Sequence, residues 1–349
     1  MSRKISFFIG SLHGGGAERV ISILANHFRR KGWNVDIVLL LDTEVGYVLE
    51  TGINIIDLSQ GTGSYYKHLT KWLRGIRKYV KEAHPDRIVS FVGRINLLVL
   101  TACIGINIPI IASERNDPKH DGRSYMMLKL CNWSYKKAKY IVFQTSYEQS
   151  CFSQKLNNAI VIGNPISINC IPKKVERPFE IVSAGRLHPQ KNQKMLIDAV
   201  ALIKEPHISL KIYGDGYLKN DLQTRINNYG LEDRVVLCGN VSDLHERING
   251  AGLFVLCSEF EGLSNALIEA MSLGLVCIST DYPGANELIV NGVNGLIVPR
   301  NDSNKLAQAI ELVLSDIKLR NKLSLEAIKT SYKYKDVNIL NQWEEIIEG

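Results

Sequence analysis

The chain alternates between short apolar runs and longer segments in which apolar residues recur with helical spacing. Apolar runs of about four to eight residues are typical of strands buried on both faces of a parallel sheet, and the longer segments are typical of the helices that cover it. In the first half this pattern predicts strands at 5–10, 34–41, 53–58, 87–92, 109–112 and 140–144. It predicts helices at 18–31, 66–83, 97–104 and 125–136.

The alternation restarts after a segment of turn-forming residues at 163–172, which we interpret as a linker. Beyond it the pattern predicts strands at 179–183, 209–213, 235–238, 253–257 and 276–280, and helices at 191–204, 218–229 and 334–349. The two halves are both of doubly wound α/β type, and 349 residues are also enough for two domains. We therefore predict domains at 1–165 and 173–332, followed by a helical segment at 333–349.

Charge is unevenly distributed along the chain. Residues 1–170 contain 22 Lys and Arg against 12 Asp and Glu, whereas residues 171–349 contain 20 against 23. A basic first half indicates an anionic partner, which could be nucleic acid, a membrane surface or a phosphorylated ligand.

The remaining composition is that of a soluble cytoplasmic enzyme. The seven cysteines are scattered without a C-x-x-C pair, as expected of reduced thiols. The sequence enters its first predicted strand almost at once, so no signal peptide is expected. Residues 95–113 carry no charge, but Gly105 and Pro109 divide them into a buried helix and strand, which excludes a membrane span.

The most informative segment contains two carboxylates eight positions apart, Glu261 and Glu269, just after the strand at 253–257. Ser264 and Asn265 stand where a helix N-cap belongs, and good helix formers follow them. Such a turn places a carboxylate beside free backbone N–H groups. The N–H groups can bind phosphate and the carboxylate can accept from sugar hydroxyls, which are the two partners that a sugar nucleotide offers. The alternative is a pair of solvent-exposed glutamates.

A glycine-rich loop opens the first helix. Gly15 and Gly16, followed by Glu18, would let the backbone approach a phosphate or a sugar closely. A dinucleotide-binding fold is the rival interpretation, since Asp42 ends the second strand where a ribose-binding acid would lie. The G-x-G-x-x-G pattern is not met, however, because Arg19 occupies the third glycine position.

Two further strand-end loops contain candidate ligands. Arg186 and Lys191 follow the first strand of the second domain and can converge on one pyrophosphate, the alternative being an exposed basic loop. In the first domain, the polar run of Glu114, Arg115 and Asn116 follows a strand and is a candidate for contact with acceptor hydroxyls. Its alternative role is turn formation before the helix at 125–136.

Together these motifs resemble retaining glycosyltransferases of family 4. The stretch from Glu261 to Glu269 is similar to the E-x7-E signature of that family, residues 185–192 to its G-R-L-x-x-x-K-N element, and residues 15–18 to its G-G-x-E element. Further matches lie at 212–216, 239–241 and 291–299, and the resemblance is strongest in the second domain. It implies an α/β protein of GT-B fold, with two Rossmann-like doubly wound parallel-sheet domains that face a cleft. The helical segment at 333–349 would cross back to the N-terminal domain.

The resemblance also implies roles for individual residues. Arg186 and Lys191 would stabilise the departing nucleoside diphosphate, Glu261 would hold the hydroxyls of the transferred sugar, and Glu269 would hold the ribose. The implied catalytic group is therefore Glu261, Arg186 and Lys191. The rest of the implied donor site consists of Gly15, Gly16, Val241, Gly262, Leu263, Ser264 and Asn265. The acceptor-side residues are Glu18, Glu114, Arg115 and Asn116; many relatives have His in place of Arg115.

The predicted function is transfer of a hexose or N-acetylhexosamine, with retention, from a nucleoside diphosphate sugar to a glycan hydroxyl in surface polysaccharide assembly. A UDP-sugar is the favoured donor, and a polyprenyl-pyrophosphate-linked acceptor is common among bacterial relatives. Neither metal nor cofactor is expected, since no two aspartates stand one residue apart as in the D-x-D metal signature. A sugar-nucleotide epimerase of the same fold is the alternative. Nucleic-acid binding is remote, because no aromatic-interleaved recognition module is present.

A basic stripe predicts peripheral binding to the cytoplasmic leaflet of the membrane. Its residues recur at helical spacing within the predicted second helix, and they are Lys67, Lys71, Arg74, Lys78 and Lys81. No acid occurs between Asp57 and Glu82, and Tyr65, Trp72 and Tyr79 flank the stripe. A second cluster of Trp133 and lysines lies at 133–139. The alternative is an ordinary amphipathic helix whose lysines are merely solvated.

Overall fold

The computed structural model describes residues 3–59, 65–152, 156–168, 170–173 and 175–349, and the chain divides into two compact units. Unit 1 comprises Met1–Pro165 together with Asp336–Gly349, and unit 2 comprises Ile166–Lys335. Residue 169 of the predicted linker lies outside the described residues. Within those residues, no helix combines the length and apolar composition needed to cross a bilayer.

Unit 1 is built on a parallel sheet of seven strands in the order β3-β2-β1-β4-β5-β6-β7. The strands are β1 (Lys4–Ile9), β2 (Asn34–Leu39), β3 (Ile53–Asp57), β4 (Arg87–Phe91), β5 (Ile110–Ser113), β6 (Tyr140–Phe143) and β7 (Ala159–Val161). The helices are α1 (Gly16–Arg30), α2 (Tyr65–Ala83), α3 (Gly93–Ala102), α4 (Tyr125–Tyr135), α5 (Ser146–Ser150) and, from the other end of the chain, α13 (Asp336–Glu348).

Alternate strand residues of unit 1 point to opposite sides of the sheet. On one side, apolar residues of α2, α3 and α4 form a continuous core with strand residues such as Phe8 and Phe143. On the other side, Phe91 of β4 stacks on Trp343 of α13, with ring centroids 5.9 Å apart. Helix α13 is therefore part of the core of unit 1, and Trp343 is fully buried.

Unit 2 contains a parallel sheet of six strands in the order β10-β9-β8-β11-β12-β13. The strands are β8 (Arg177–Ala184), β9 (Ser209–Tyr213), β10 (Val235–Gly239), β11 (Ala251–Leu256), β12 (Val276–Thr280) and β13 (Leu296–Val298). The helices are α6 (Gln193–Leu202), α7 (Lys219–Asn228), α8 (Leu244–Ile248), α9 (Asn265–Ser272), α10 (Pro283–Leu288), α11 (Ser303–Ser315) and α12 (Ile317–Ser331). Short 3₁₀ helices occur at Pro189–Lys191 and Tyr332–Tyr334.

The prediction of two Rossmann-like parallel sheets is confirmed. The apolar pattern missed the short strands β7 and β13 and the helices α5, α8, α10, α11 and α12. The other differences lie at helix ends. Helix α3 begins at Gly93 rather than at residue 97, and its first turn includes the buried Asn96, which accepts from the Ser90 hydroxyl and donates to the Ser113 carbonyl. Because this buried residue is polar, the apolar pattern did not reveal the first turn of α3. Helix α6 begins at Gln193 rather than at residue 191, because the preceding residues form a 3₁₀ turn.

Candidate active site

The loop after β8 is shaped by a change in backbone direction around Lys191. The side chain of His188 accepts a hydrogen bond from the Gln190 N–H and starts the 3₁₀ turn Pro189–Lys191. Asn192 then adopts a left-handed conformation (φ 45°, ψ 45°), and its side chain caps α6. This turn fixes the position of Lys191, whereas the side chain of Arg186 is exposed on the same loop.

Two glycines after β9 allow that loop to pack closely. A Cβ at Gly214 would lie 2.1 Å from the carbonyl oxygen of Gly185, and one at Gly216 would lie 2.4 Å from that of Leu187. Side chains at these positions would therefore displace the loop that holds Lys191. The Gly-Asp-Gly element at 214–216 thus supports the site rather than lining it.

Glu261 and Lys191 meet although they are 70 residues apart in the sequence. The Lys191 ammonium group contacts Oε1 of Glu261, and the Ser258 hydroxyl lies 2.5 Å from the same oxygen. Both side chains of the ion pair are mostly buried, with 15% and 11% of their surface exposed. The predicted catalytic residues Glu261 and Lys191 therefore form one charged cluster where β8 and β11 end.

The loop that carries Glu261 packs on the start of α10. A Cβ at Gly284 would lie 1.8 Å from the carbonyl oxygen of Gly262, so only glycine fits there. Beside it Tyr282 is fully buried, and burial together with the charge of Glu261 raises the pKa of its hydroxyl well above the usual range. The sequence analysis did not identify Tyr282 or Gly284.

Helix α9 begins at Asn265, with Ser264 as its N-cap residue, as predicted. The Ser264 side chain makes no capping hydrogen bond, so the first-turn N–H groups are not capped by it. Leu263 and Ser264 are buried and Gly262 is partly exposed. The predicted donor residues 261–265 thus run continuously from the Lys191–Glu261 pair into the first turn of a helix, where the dipole favours an anion.

Glu269 is buried in α9 and has a partner that the sequence did not indicate. Nε2 of His245, on α8, lies 3.2 Å from a carboxylate oxygen of Glu269. Val241, another predicted donor residue, is partly exposed and lies in the loop just before α8. His245 therefore comes between the predicted donor residues Val241 and Glu269 in the sequence. No periodicity or motif singles out this histidine.

In unit 1 the glycine-rich loop caps its own helix. Gly15 is the N-cap residue of α1, and a Cβ there would lie 2.3 Å from the Glu18 carboxylate, which folds back over the helix start. An acid in the first turn stabilises the helix through its dipole. Nearby, His13, Asp42 and Glu44 have ligand atoms within 4.8 Å of one another and could hold a cation, although all three are exposed.

The acceptor-side residues at the end of β5 are mostly inside unit 1. Glu114 binds Arg123 through both oxygens, at 2.7 and 3.0 Å, and also accepts from the Tyr135 hydroxyl. Asn116 is exposed, but Glu114 is only 1% exposed. The carboxylate of Glu114 therefore already has partners within unit 1, and its acceptor-side role stays a prediction.

Arg115 is buried between two aromatic rings. Its guanidinium carbon lies 5.0 Å from the Phe91 ring centroid and 5.5 Å from that of Trp343, and Nη1 donates to Asn164 at 2.8 Å. Burial lowers the pKa of Arg115 to about 9. In the same region burial raises the pKa of Glu148 to about 8. Arg115 thus ties β4 and α13 together, a role that the sequence did not indicate.

Two family models match most of the chain. "Glycosyltransferase Family 4" matches residues 14–169, and "Glycosyl transferases group 1" matches residues 169–330. The chain belongs to glycosyltransferase family 4. The predicted family and the predicted enzyme class, a glycosyltransferase, are confirmed.

Two bacterial enzymes match this glycosyltransferase over nearly its full length. A Campylobacter jejuni enzyme named GalNAc-alpha-(1->4)-GalNAc-alpha-(1->3)-diNAcBac-PP-undecaprenol alpha-1,4-N-acetyl-D-galactosaminyltransferase is 28% identical, over 99% of this chain and 98% of its own length. A second Campylobacter jejuni enzyme, an N-acetylgalactosamine-N,N'-diacetylbacillosaminyl-diphospho-undecaprenol 4-alpha-N-acetylgalactosaminyltransferase, is 28% identical over 97% of both chains.

Solved structures confirm the GT-B fold class. HepE of Anabaena, crystallised with UDP, superposes with a TM-score of 0.87 at 22% identity over 99% of both chains. The lipopolysaccharide outer core galactosyltransferase WaaB superposes with a TM-score of 0.79 at 22% identity over 99% of both chains. At this identity the likeness establishes the fold alone.

Proposed function

We propose that this glycosyltransferase moves a hexose or N-acetylhexosamine from a UDP-sugar to a hydroxyl of a polyprenyl-diphosphate-linked glycan, with retention, during surface polysaccharide assembly. The observation that supports it most is the Lys191–Glu261–Ser258 cluster beside the first turn of α9, where the helix dipole favours an anion. That cluster offers cations and N–H groups for a diphosphate and a carboxylate for sugar hydroxyls.

Each part of the donor, the diphosphate, the sugar and the ribose, has a binding partner among these residues. The Lys191 ammonium has three donors, so it can bind a diphosphate oxygen while it stays on Glu261 Oε1. Among the described residues, Lys191 and Ser258 both contact Oε1 of Glu261, and Oε2 can accept from a sugar hydroxyl. Arg186, exposed on the Lys191 loop, supplies a second cation for the diphosphate. Glu269 accepts from the ribose.

The roles of these residues in the reaction follow from the atoms on which charge develops. As the glycosidic C–O bond to the diphosphate breaks, negative charge grows on the leaving oxygen, and Lys191, Arg186 and the first turn of α9 stabilise it. The acceptor hydroxyl attacks the same face of the sugar, and its proton passes to the departing phosphate oxygen. The configuration is then retained without a protein nucleophile and without a metal. No cofactor is part of this scheme.

The acceptor proposal follows the full-length relatives, whose names specify undecaprenyl-diphosphate glycans. An Escherichia coli relative, 34% identical over 46% of this chain, is named a UDP-Gal:alpha-D-GlcNAc-diphosphoundecaprenol alpha-1,3-galactosyltransferase. The name of the Escherichia coli relative also supports a UDP-sugar as donor. A lipid-anchored acceptor would hold the enzyme at the inner face of the cell membrane.

The purified protein, incubated with UDP-sugars and a short-chain polyprenyl-diphosphate glycan, tests this proposal. We expect UDP release that needs the acceptor and a product with an α-linkage from an α-linked donor. Conversion of the UDP-sugar without acceptor would instead indicate an epimerase. A β-linked product would contradict retention.

His245 should affect donor binding rather than the chemical step. We expect His245→Ala to raise KM for the UDP-sugar about tenfold with little change in kcat, because Glu269 would lose the contact that orients it towards the ribose. Steady-state kinetics measure this split, and His207→Ala, an exposed histidine of unit 2, is the control. A fall in kcat at unchanged KM would contradict the positioning role.

The basic stripe of α2 should attract the enzyme to anionic lipid. Lys71, Arg74, Lys78 and Lys81 are all exposed, while the side chain of Lys67 lies outside the described residues, as does that of Tyr65. Two of the flanking rings make contacts within unit 1. Trp72 is buried and donates to the Leu40 carbonyl, and Tyr79 binds Asp36 inside the unit.

Charge reversal tests this stripe. We expect Lys71→Glu, Arg74→Glu and Lys78→Glu together to reduce binding to phosphatidylglycerol vesicles about a hundredfold or more, since each cation near the surface contributes about 1 kcal/mol. Co-sedimentation measures binding, with exposed Lys318, Lys322 and Lys329 of α12 reversed as the control. Equal recovery from neutral and anionic vesicles would refute membrane binding through this stripe.

A further inference from the structure

Helix α4 exposes large apolar side chains on one side. Tyr125 and Met126 are each 73% exposed, Leu130 is 46% exposed and Trp133 is 52% exposed. Met126, Leu130 and Trp133 are spaced by four and three residues, which places them on one stripe of the helix. The opposite side of α4 is packed, since Cys131, Ser134 and Tyr135 are buried.

Lysines surround this stripe and lie on its aromatic rings. The Lys129 ammonium is 4.6 Å from the Tyr125 ring centroid, and that of Lys137 is 4.0 Å from the Trp133 ring centroid. Lys136 is exposed beside them. No acid occurs in the sequence between Asp121 and Glu148. The exposed face of α4 is therefore both apolar and positively charged.

Single exposed apolar residues are ordinary on protein surfaces, whereas a contiguous apolar group ringed by one sign of charge indicates an interaction site. The exposure of Trp133 is unusual among the tryptophans of this chain. All four tryptophans of the chain are described, and Trp33, Trp72 and Trp343 are at most 5% exposed.

We propose that this face of α4 docks into the surface of an anionic phospholipid bilayer. Tyr125 and Trp133 would lie at the level of the lipid headgroups, where amphipathic rings are favoured, with Met126 and Leu130 at the acyl boundary. The lysines would extend to the lipid phosphates while their stems cover the rings.

Charge selects a bilayer over a second copy of this chain. A symmetric contact through α4 would place the same lysines against each other, and like charges at an interface are costly. An anionic lipid surface meets both the rings and the cations. Helix α3 contacts both α2 and α4, and all three helices share one core, so the basic stripe and this face belong to one helix layer of unit 1.

The inference rests on the proposed function, in which the acceptor has a lipid anchor. It adds apolar insertion into the bilayer, which the α2 stripe cannot provide. Attraction by α2 is electrostatic and is screened when salt reduces the Debye length to about 3 Å near 1 M. Apolar insertion of α4 does not depend on this screening. Part of the binding to anionic vesicles should therefore persist at high salt, and this part should depend on α4.

Trp133 reports insertion directly. Vesicles of phosphatidylglycerol and phosphatidylethanolamine, without any acceptor, should shift the tryptophan emission of the protein to the blue, and lipids with a spin label near the headgroup should quench it. Trp133→Phe should abolish both effects, because the other three tryptophans are buried. Unchanged emission of the wild-type protein bound to these vesicles would overturn the proposal.

A paired variant tests the apolar part. Met126→Ser with Leu130→Ser should lower vesicle binding at about 1 M salt roughly tenfold or more, whereas Ile317→Ser with Leu325→Ser, both 60% exposed on α12, should not. Equal binding of the two variants, or conversion of a wild-type dimer to monomers by the α4 variant in lipid-free light scattering, would overturn the proposal. Transfer to the short-chain polyprenyl-diphosphate glycan is assayed separately, without vesicles. Failure of the wild-type protein in that assay would refute the proposed function, whereas the vesicle measurements test only the docking of α4.

Discussion

Replacing Glu261 by Gln is expected to lower kcat about a hundredfold or more while the protein stays folded. The carboxylate is held by Lys191 and Ser258, and in the proposed reaction it binds the transferring sugar, so its loss would remove stabilisation at the reacting centre. Lys191→Ala should have an effect of similar size, because it removes the charge that stabilises the leaving diphosphate in the proposed reaction. Steady-state kinetics with a confirmed acceptor measure both effects.

The two substitutions also test whether the pair acts as a unit. The double variant should lose much less than the product of the two single effects, since residues in direct contact are not additive. Glu311→Gln, an exposed acid on α11, is the matched control and should turn over normally. Normal turnover by both Glu261→Gln and Lys191→Ala would show that the active site lies elsewhere.

The largest effect on stability is expected at Arg123. Arg123 and Glu114 are each only 1% exposed, and Arg123 also lies 2.5 Å from Asp121. Arg123→Met leaves two buried carboxylates without their cation, which should cost about 3–5 kcal/mol in free energy of unfolding. Glu114→Gln should lower the free energy of unfolding by less, because Arg123 retains its ion pair with Asp121.

Urea denaturation followed by tryptophan fluorescence measures this cost selectively. All four tryptophans belong to unit 1, so the signal reports unit 1 whether or not the two units unfold together. Arg74→Met, which changes an exposed arginine, should stay within about 0.5 kcal/mol of the wild-type protein. A change of that small size for Arg123→Met would mean that the buried network does not stabilise unit 1.

The fold and the loops of the site could be predicted from local patterns, but the contacts within the site could not. Apolar runs and cap residues are local signals, and they located β11, Glu261 and the start of α9 at Asn265. The contact between Lys191 and Glu261 depends on strand order, which places β8 beside β11 although sequence separates them. Only the family resemblance brought these two residues together beforehand.

Burial of polar groups was the hardest feature to predict. Glu114 and Arg115 are charged residues after a strand, and the sequence favours exposed roles for such residues. Glu114 binds Arg123 and Tyr135, which lie 9 and 21 residues further along the chain. Arg115 contacts Asn164, 49 residues away, and the ring of Trp343 on α13. His245 was missed for the same reason, since nothing near it in sequence indicates Glu269.

Because α13 completes unit 1, the order of synthesis constrains how this chain can fold. The ribosome makes Phe91 before unit 2 and its stacking partner Trp343 only after all of unit 2. A domain made of one continuous segment can fold as soon as it emerges, as unit 2 can. Unit 1 must instead wait with part of its core uncovered, so chaperones that shield apolar surface should bind nascent chains that end before residue 336.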